Sequence, residues 1–121
     1  MRKIILGGFL CLGMFMLSGC GSQPETVTDS SAIILFYGQE CPHCQIVEKY
    51  IADNNVKAKV TFSEREVNHD KANADLMVKK QKDCKLDKNS IGAVPFLFTA
   101  DKCYLGQEEI MQFFKDKISG Q

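Results

Sequence analysis

Ala32-Ile33-Ile34-Leu35-Phe36-Tyr37, then Gly38-Gln39-Glu40, then Cys41-Pro42-His43-Cys44, is the stretch whose reading decides the fold. The first six residues form an apolar run without alternation, as expected of a strand covered on both faces. Gly38 breaks the run. From Pro42 the spacing becomes helical, with Ile46, Val47, Tyr50 and Ile51 falling on one face. Proline suits the first helical position, because the N–H it lacks has no intrahelical partner there. Cys41 is thereby placed at or near the N-cap, where unpaired N–H groups and the helix dipole favour negative charge. A thiolate is such a charge, and a thiolate held there is a nucleophile. Six cysteines in 121 residues make a bare C-x-x-C spacing commonplace. Its place at a strand-to-helix turn is what gives it meaning.

Working outward, the length suits a single small domain. The formal net charge is zero, and the composition is 45% hydrophobic and 9% aromatic without tryptophan. Neither a basic surface for nucleic acid nor an acidic tail is apparent. The core is expected to be modest.

Residues 1–19 read as a signal peptide rather than as part of the fold. Arg2 and Lys3 form a basic start, and Ile4 to Leu17 is an apolar stretch of 14 residues, short for a membrane span. It ends in Leu17-Ser18-Gly19-Cys20, which resembles the lipobox of bacterial lipoproteins. That resemblance implies cleavage before Cys20 and acylation of its thiol. The alternatives are a signal peptide with an incidental cysteine, or an uncleaved anchor. The lipoprotein reading places the domain outside the cytoplasm, on the periplasmic side or the cell surface, where disulfides persist. Cys11 leaves with the signal and Cys20 is consumed by lipid, so Cys41, Cys44, Cys84 and Cys103 remain. Residues 20–31 then comprise the lipidated cysteine and a polar, aperiodic tether, and residues 32–121 the folded domain.

After the first strand and a helix from Pro42 to about Asn54, Lys57 to Val67 reads as a second strand. Its apolar residues are Val60, Phe62 and Val67, and its end is blurred by Ser63-Glu64-Arg65-Glu66. Strand, helix and strand within so few residues make a βαβ unit with a parallel pair. Asp70 caps a second helix to about Cys84, with Ala74, Met77 and Cys84 on its apolar face. Ile91 to Pro95 leads into a third strand, Phe96–Thr99. A turn at Ala100-Asp101-Lys102 gives a fourth strand, Cys103-Tyr104-Leu105, antiparallel to the third. Gly106 ends it. Gln107 to Ile118 is a helix burying Ile110, Phe113, Phe114 and Ile118. The expected class is α/β: a central four-stranded mixed sheet with helices on both faces, in the order β-α-β-α-β-β-α.

From Ala32 onward the chain resembles the thioredoxin superfamily, closest in size to glutaredoxins and minimal thioredoxin-like proteins. The resemblance rests on Cys41-Pro42-His43-Cys44 after strand one, Val94-Pro95 before strand three, and the Asp101-Lys102 hairpin followed by Gly106 and a closing helix. It implies thiol–disulfide exchange, with Cys41 as nucleophile and Cys44 as resolving thiol, and with no cofactor beyond the redox-active Cys41–Cys44 pair. It also implies a cis Pro95 facing the pair, and a Val94 backbone edge offered to an extended substrate chain. His43, when protonated, would stabilise the Cys41 thiolate. The Pro42-His43 dipeptide matches DsbA-type oxidases, yet the segment from Cys44 to Pro95 is too short for their inserted helical domain. The direction of electron flow stays open. Departures from the pattern also inform. Gln39-Glu40 precede Cys41, and a lone Gly106 is followed by Gln107-Glu108-Glu109, so glutathione use is not expected. Strand one lacks the buried aspartate of thioredoxins; Glu40 and Glu48 are the candidates to replace it, or are plain surface charges.

Cys84 and Cys103 are additional to the minimal pattern. They read as a structural disulfide, a free buried pair or a second redox couple. The expected partners are thiols and disulfides of exported proteins, a membrane or soluble redox partner and the membrane itself, with the domain a monomer. Two other readings compete. Cys41, His43 and Cys44 could bind copper or another soft metal, although zinc would want a fourth ligand and His69 lies elsewhere, read as a surface residue. Alternatively, the domain is a binding module without turnover.

Overall fold

The computed structural model describes residues 32–120, so the signal peptide, the acylated Cys20 and the tether expected from the sequence fall outside the described residues. The elements are β1 (Ile33–Tyr37), α1 (Pro42–Asp53), a short 3₁₀ turn (Val56–Ala58), β2 (Ser63–Glu66), α2 (Lys71–Asp83), β3 (Phe96–Thr99), β4 (Cys103–Leu105) and α3 (Gln107–Ser119). The class is α/β, with one four-stranded mixed sheet and three helices. Strand order is β2-β1-β3-β4. β1 pairs parallel to β2, with Leu35 opposite Glu64. It pairs antiparallel to β3, with Leu35 opposite Leu97. β3 and β4 form an antiparallel hairpin. Among the described residues, no helix is long and apolar enough to cross a membrane.

The unalternating run of β1 has its cause in this order. β1 is an inner strand, and successive side chains enter two separate cores. Leu35 joins Leu97 of β3, Val47 and Ile51 of α1, and Ile110, Phe113 and Phe114 of α3 on one face. Ile34 and Phe36 join Phe96 and Met77 of α2 on the other. Phe36 and Phe96 stack there with centroids 5.8 Å apart. Helices therefore cover both faces.

Local chemistry sets the helix ends. Asp70 caps α2, its carboxylate accepting the Asn73 N–H at 3.0 Å. Gly106, at φ 89°, precedes α3 in a conformation that side chains disfavour. Glu108 and Glu109 lie in the first turn of α3 and Lys117 in its last, matching the helix dipole.

Three expectations need correction. The second strand is the polar Ser63–Glu66 rather than the whole of Lys57–Val67. It lies at the sheet edge and is held by backbone pairing to β1, so its side chains need not be apolar. Asn55, in a left-handed conformation at φ 51°, turns the chain into the 3₁₀ segment that buries Val56. Val60, expected in the strand, instead plugs the α1/α3 core. On α1, Ile46 is 45% exposed and Cys44 takes the buried position. On α2, the buried positions are Asn73, Met77 and Gln81, whereas Ala74 and Cys84 are half-buried.

Candidate functional site

Cys41 is the N-cap of α1, with extended backbone, and Pro42 follows at the first helical position. The Cys41 sulfur accepts the Cys44 N–H at 3.2 Å, so it satisfies one orphan donor of the helix start. The Cys41 thiol donates to the Val94 carbonyl at 3.8 Å. That carbonyl belongs to the Val94–Pro95 peptide, which is cis. Residues 53 apart in the chain thus meet at one sulfur.

Cys44 lies one turn further in and is buried at 1% exposure, while Cys41 is half-buried. The Gly38 N–H donates to the Cys44 sulfur at 3.5 Å. Burial pushes the Cys44 thiol up to about 12; its hydrogen bond with Cys41 and the Glu48 carboxylate act in the same direction, and the Gly38 N–H opposes them. Glu48 itself is pushed upward by desolvation and by Glu64. The pair therefore divides into a reachable sulfur at the helix mouth and an enclosed one that holds its proton.

The loop bearing Val94 and Pro95 is anchored from both sides. Gln81 of α2 is fully buried, and its amide donates to the Ala93 carbonyl at 2.9 Å and accepts the Gly92 N–H at 2.7 Å. On the other side, the Gly106 N–H donates to the Pro95 carbonyl at 2.9 Å. His43 is exposed, and its Nδ1 lies 2.8 Å from Gln107 Oε1 at the start of α3. The ring's hydrogen-bond partner is thus Gln107, a contact the sequence did not point to.

A second cluster borders the β1–α1 loop. Glu40 Oε1 lies 2.7 Å from His69 Nε2, and Glu40 also accepts from the Asn68 amide. Glu66 accepts the backbone N–H groups of Asn68 and His69, each at 2.8 Å, and of Gln39 at 3.4 Å. The hydrogen bonds from Asn68 and His69 hold Glu40 below its ordinary value, and the Glu40 carboxylate holds His69 above its own. Desolvation pushes Glu66 up, but the three N–H groups outweigh it and leave it lowered. Gly38 permits the close approach, since a Cβ there would stand 2.7 Å from the Asn68 amide oxygen. Glu40, read as a candidate partner of the resolving thiol, serves to fasten this loop. His69 is exposed, as expected, but paired.

Among the described residues, the grouping of three metal-ligating side chains within 4.8 Å of one another is Glu40, Glu66 and His69. Cys41, His43 and Cys44 do not converge in that way. Cys84 and Cys103 are joined by a disulfide, with Cα atoms 6.2 Å apart, tying the end of α2 to β4. Sequence reasoning missed Gln81, Glu66 and Gln107. Gln81 carries no local signal, because its partners are remote backbone groups, whereas Glu66 accepts from nearby Asn68 and His69 as well as from distant Gln39. Gln107 stood at a helix start, but nothing local pointed to His43. Comparison with protein-family models and with curated proteins finds no match.

Proposed function

We propose that this chain is a thioredoxin-like thiol–disulfide oxidoreductase, lipid-anchored outside the cytoplasm, that exchanges disulfides with exported proteins. The observation that carries the reading is the Cys41 sulfur: it caps α1, accepts the Cys44 N–H and lies against the carbonyl before a cis proline. The strand order, the helices on both faces and the position of Val94-Pro95 beside the pair agree with it. In the first step, the Cys41 thiolate attacks one sulfur of a client disulfide. A mixed disulfide forms and the other client sulfur leaves as thiolate. Cys44 then loses its proton and attacks the Cys41 sulfur, releasing the second client thiolate. Two electrons pass to the client and Cys41–Cys44 becomes a disulfide; the reverse sequence oxidises a client dithiol. Cys41 is reachable at the helix mouth while burial keeps Cys44 protonated, so the order of attack follows from position.

The test is insulin reduction by the full chain with dithiothreitol as electron source. Wild-type protein accelerates it, Cys41→Ser does not, and Cys44→Ser accumulates a mixed disulfide through Cys41. A chain whose Cys41 neither gives nor takes electrons overturns the proposal. The equilibrium reduction potential of the pair then assigns the direction of flow.

A further inference from the structure

Three hydrogen bonds join three separate pieces of chain around Cys41. The Cys41 thiol donates to Val94 O, Gly106 N–H donates to Pro95 O at 2.9 Å, and Gln107, next along, reaches His43 at 2.8 Å. His43 follows Cys41 by two residues, in the first turn of α1. The circuit is therefore closed: nucleophile, proline loop, head of α3, imidazole and back.

With the Gln107 amide oxygen turned to the ring, as here, Nδ1 of His43 carries the hydrogen, because an amide oxygen only accepts. A neutral imidazole then keeps its lone pair on Nε2, and that is where a second proton adds. Gln107 is itself fixed: it is the first residue of α3, half-buried, and the preceding Gly106 is bonded to Pro95. We propose that Gln107 is a positioning residue, which holds the His43 ring at the head of α3, in the turn that follows Cys41, and confines its exchangeable proton to Nε2. This rests on the thiol–disulfide reading for its consequence, since a ring held in one orientation near Cys41 acts on that sulfur more constantly than one free to rotate into solvent, and the Nδ1 hydrogen stays on the ring, donated to Gln107.

The experiment uses the full ¹⁵N-labelled chain. Long-range ¹H–¹⁵N spectra of the two histidines, at roughly pH 9 where an ordinary imidazole is neutral, report which nitrogen holds the hydrogen; His69 is the internal reference. The expected result is Nδ1–H for wild-type His43, a shift toward Nε2–H in Gln107→Leu, retention of Nδ1–H in Gln107→Glu, and an unchanged His69. Alkylation of Cys41 by iodoacetamide at neutral pH slows by about two- to tenfold in Gln107→Leu, the range of one exposed hydrogen bond. It does not slow further when His43→Ala is already present. An Nε2–H ring in wild type, a ring indifferent to Gln107→Leu, or equal slowing with and without His43 overturns the proposal. The spectra do not depend on turnover. A responding ring in a chain inactive toward insulin removes the enzyme reading and leaves the positioning intact; an active chain with an indifferent ring does the reverse.

Discussion

Gln81→Met isolates one polar side chain that the fold cannot easily spare. Methionine has nearly the volume of glutamine and lacks both amide groups, so packing on α2 is conserved while two hydrogen bonds vanish. The side chain is fully buried, and it satisfies the Gly92 N–H at 2.7 Å and the Ala93 carbonyl at 2.9 Å. Gly92 is exposed, so water can replace its partner, and that bond is worth about 0.5–1.5 kcal/mol. Ala93 is half-buried, and its carbonyl, left unpaired, costs about 1–3 kcal/mol. The sum is about 1.5–4.5 kcal/mol, a large part of the roughly 5–15 kcal/mol that holds a small domain together. Urea unfolding of the two proteins, followed by circular dichroism, is the assay. A lower midpoint with an unchanged slope is expected, since the surface exposed on unfolding is the same. The substitution also frees the loop carrying Val94, so mixed-disulfide formation at Cys41 should slow while the protein is still folded. A Gln81→Met midpoint matching a loss under about 0.5 kcal/mol would refute the assignment of Gln81 as the fastening of that loop.

Replacing Cys84 and Cys103 together by serine opens a loop with a sequence separation of 19 and should cost about 3 kcal/mol of stability. Calorimetry would show a lower Tm in the double variant and no further effect of reductant; a Tm identical to wild type refutes it. The Glu40–His69 pair should give the wild type a pH-dependent margin over His69→Gln. His69 is raised above 6.5, so its contribution is complete below that value and fades as pH rises through the raised pKa. Glu40 is lowered below 4.5, so its contribution is complete above that value and fades as pH falls through the lowered pKa. The margin is therefore widest between pH 4.5 and 6.5, and a pH-independent difference in urea midpoint refutes the pairing. Glu48→Gln removes a negative charge that raises the Cys44 thiol. The alkylation profile of Cys44, read in a Cys41→Ala background, should move to lower pH; no movement shows that the carboxylate is too distant to act.

What could be read from sequence was what neighbouring residues determine. β1, the cysteine at the mouth of α1, the Asp70 cap, Phe96–Thr99 and the buried stripe of α3 are all written in patterns of a few residues. The strand was legible but the bounds of β2 were not, because Ser63-Glu64-Arg65-Glu66 carries no apolar signal and is a strand only by pairing with Ile34 through Tyr37. Ile46 looked like core because it lies beside Val47, but the α1 stripe rotates toward Cys44 and Ile51 instead. Asn73 and Gln81 looked like surface because both are polar. Their burial is licensed by backbone groups at Glu66, Gly92 and Ala93, which no local window contains. At the site, the two thiols and the proline were legible as a motif, while the groups that hold them in place were not.

The two rims of the sheet differ from its centre in a way that bears on solution behaviour. One flank is β2, where Glu64, Arg65 and Glu66 alternate in sign along four residues. The other, β4, is three residues long and begins at a cystine crosslinked to the end of α2. A foreign strand sliding alongside either would meet charge or run out of track after a few ångströms. Among the described residues, then, neither rim offers a long uncharged seam along which one sheet could extend into the next.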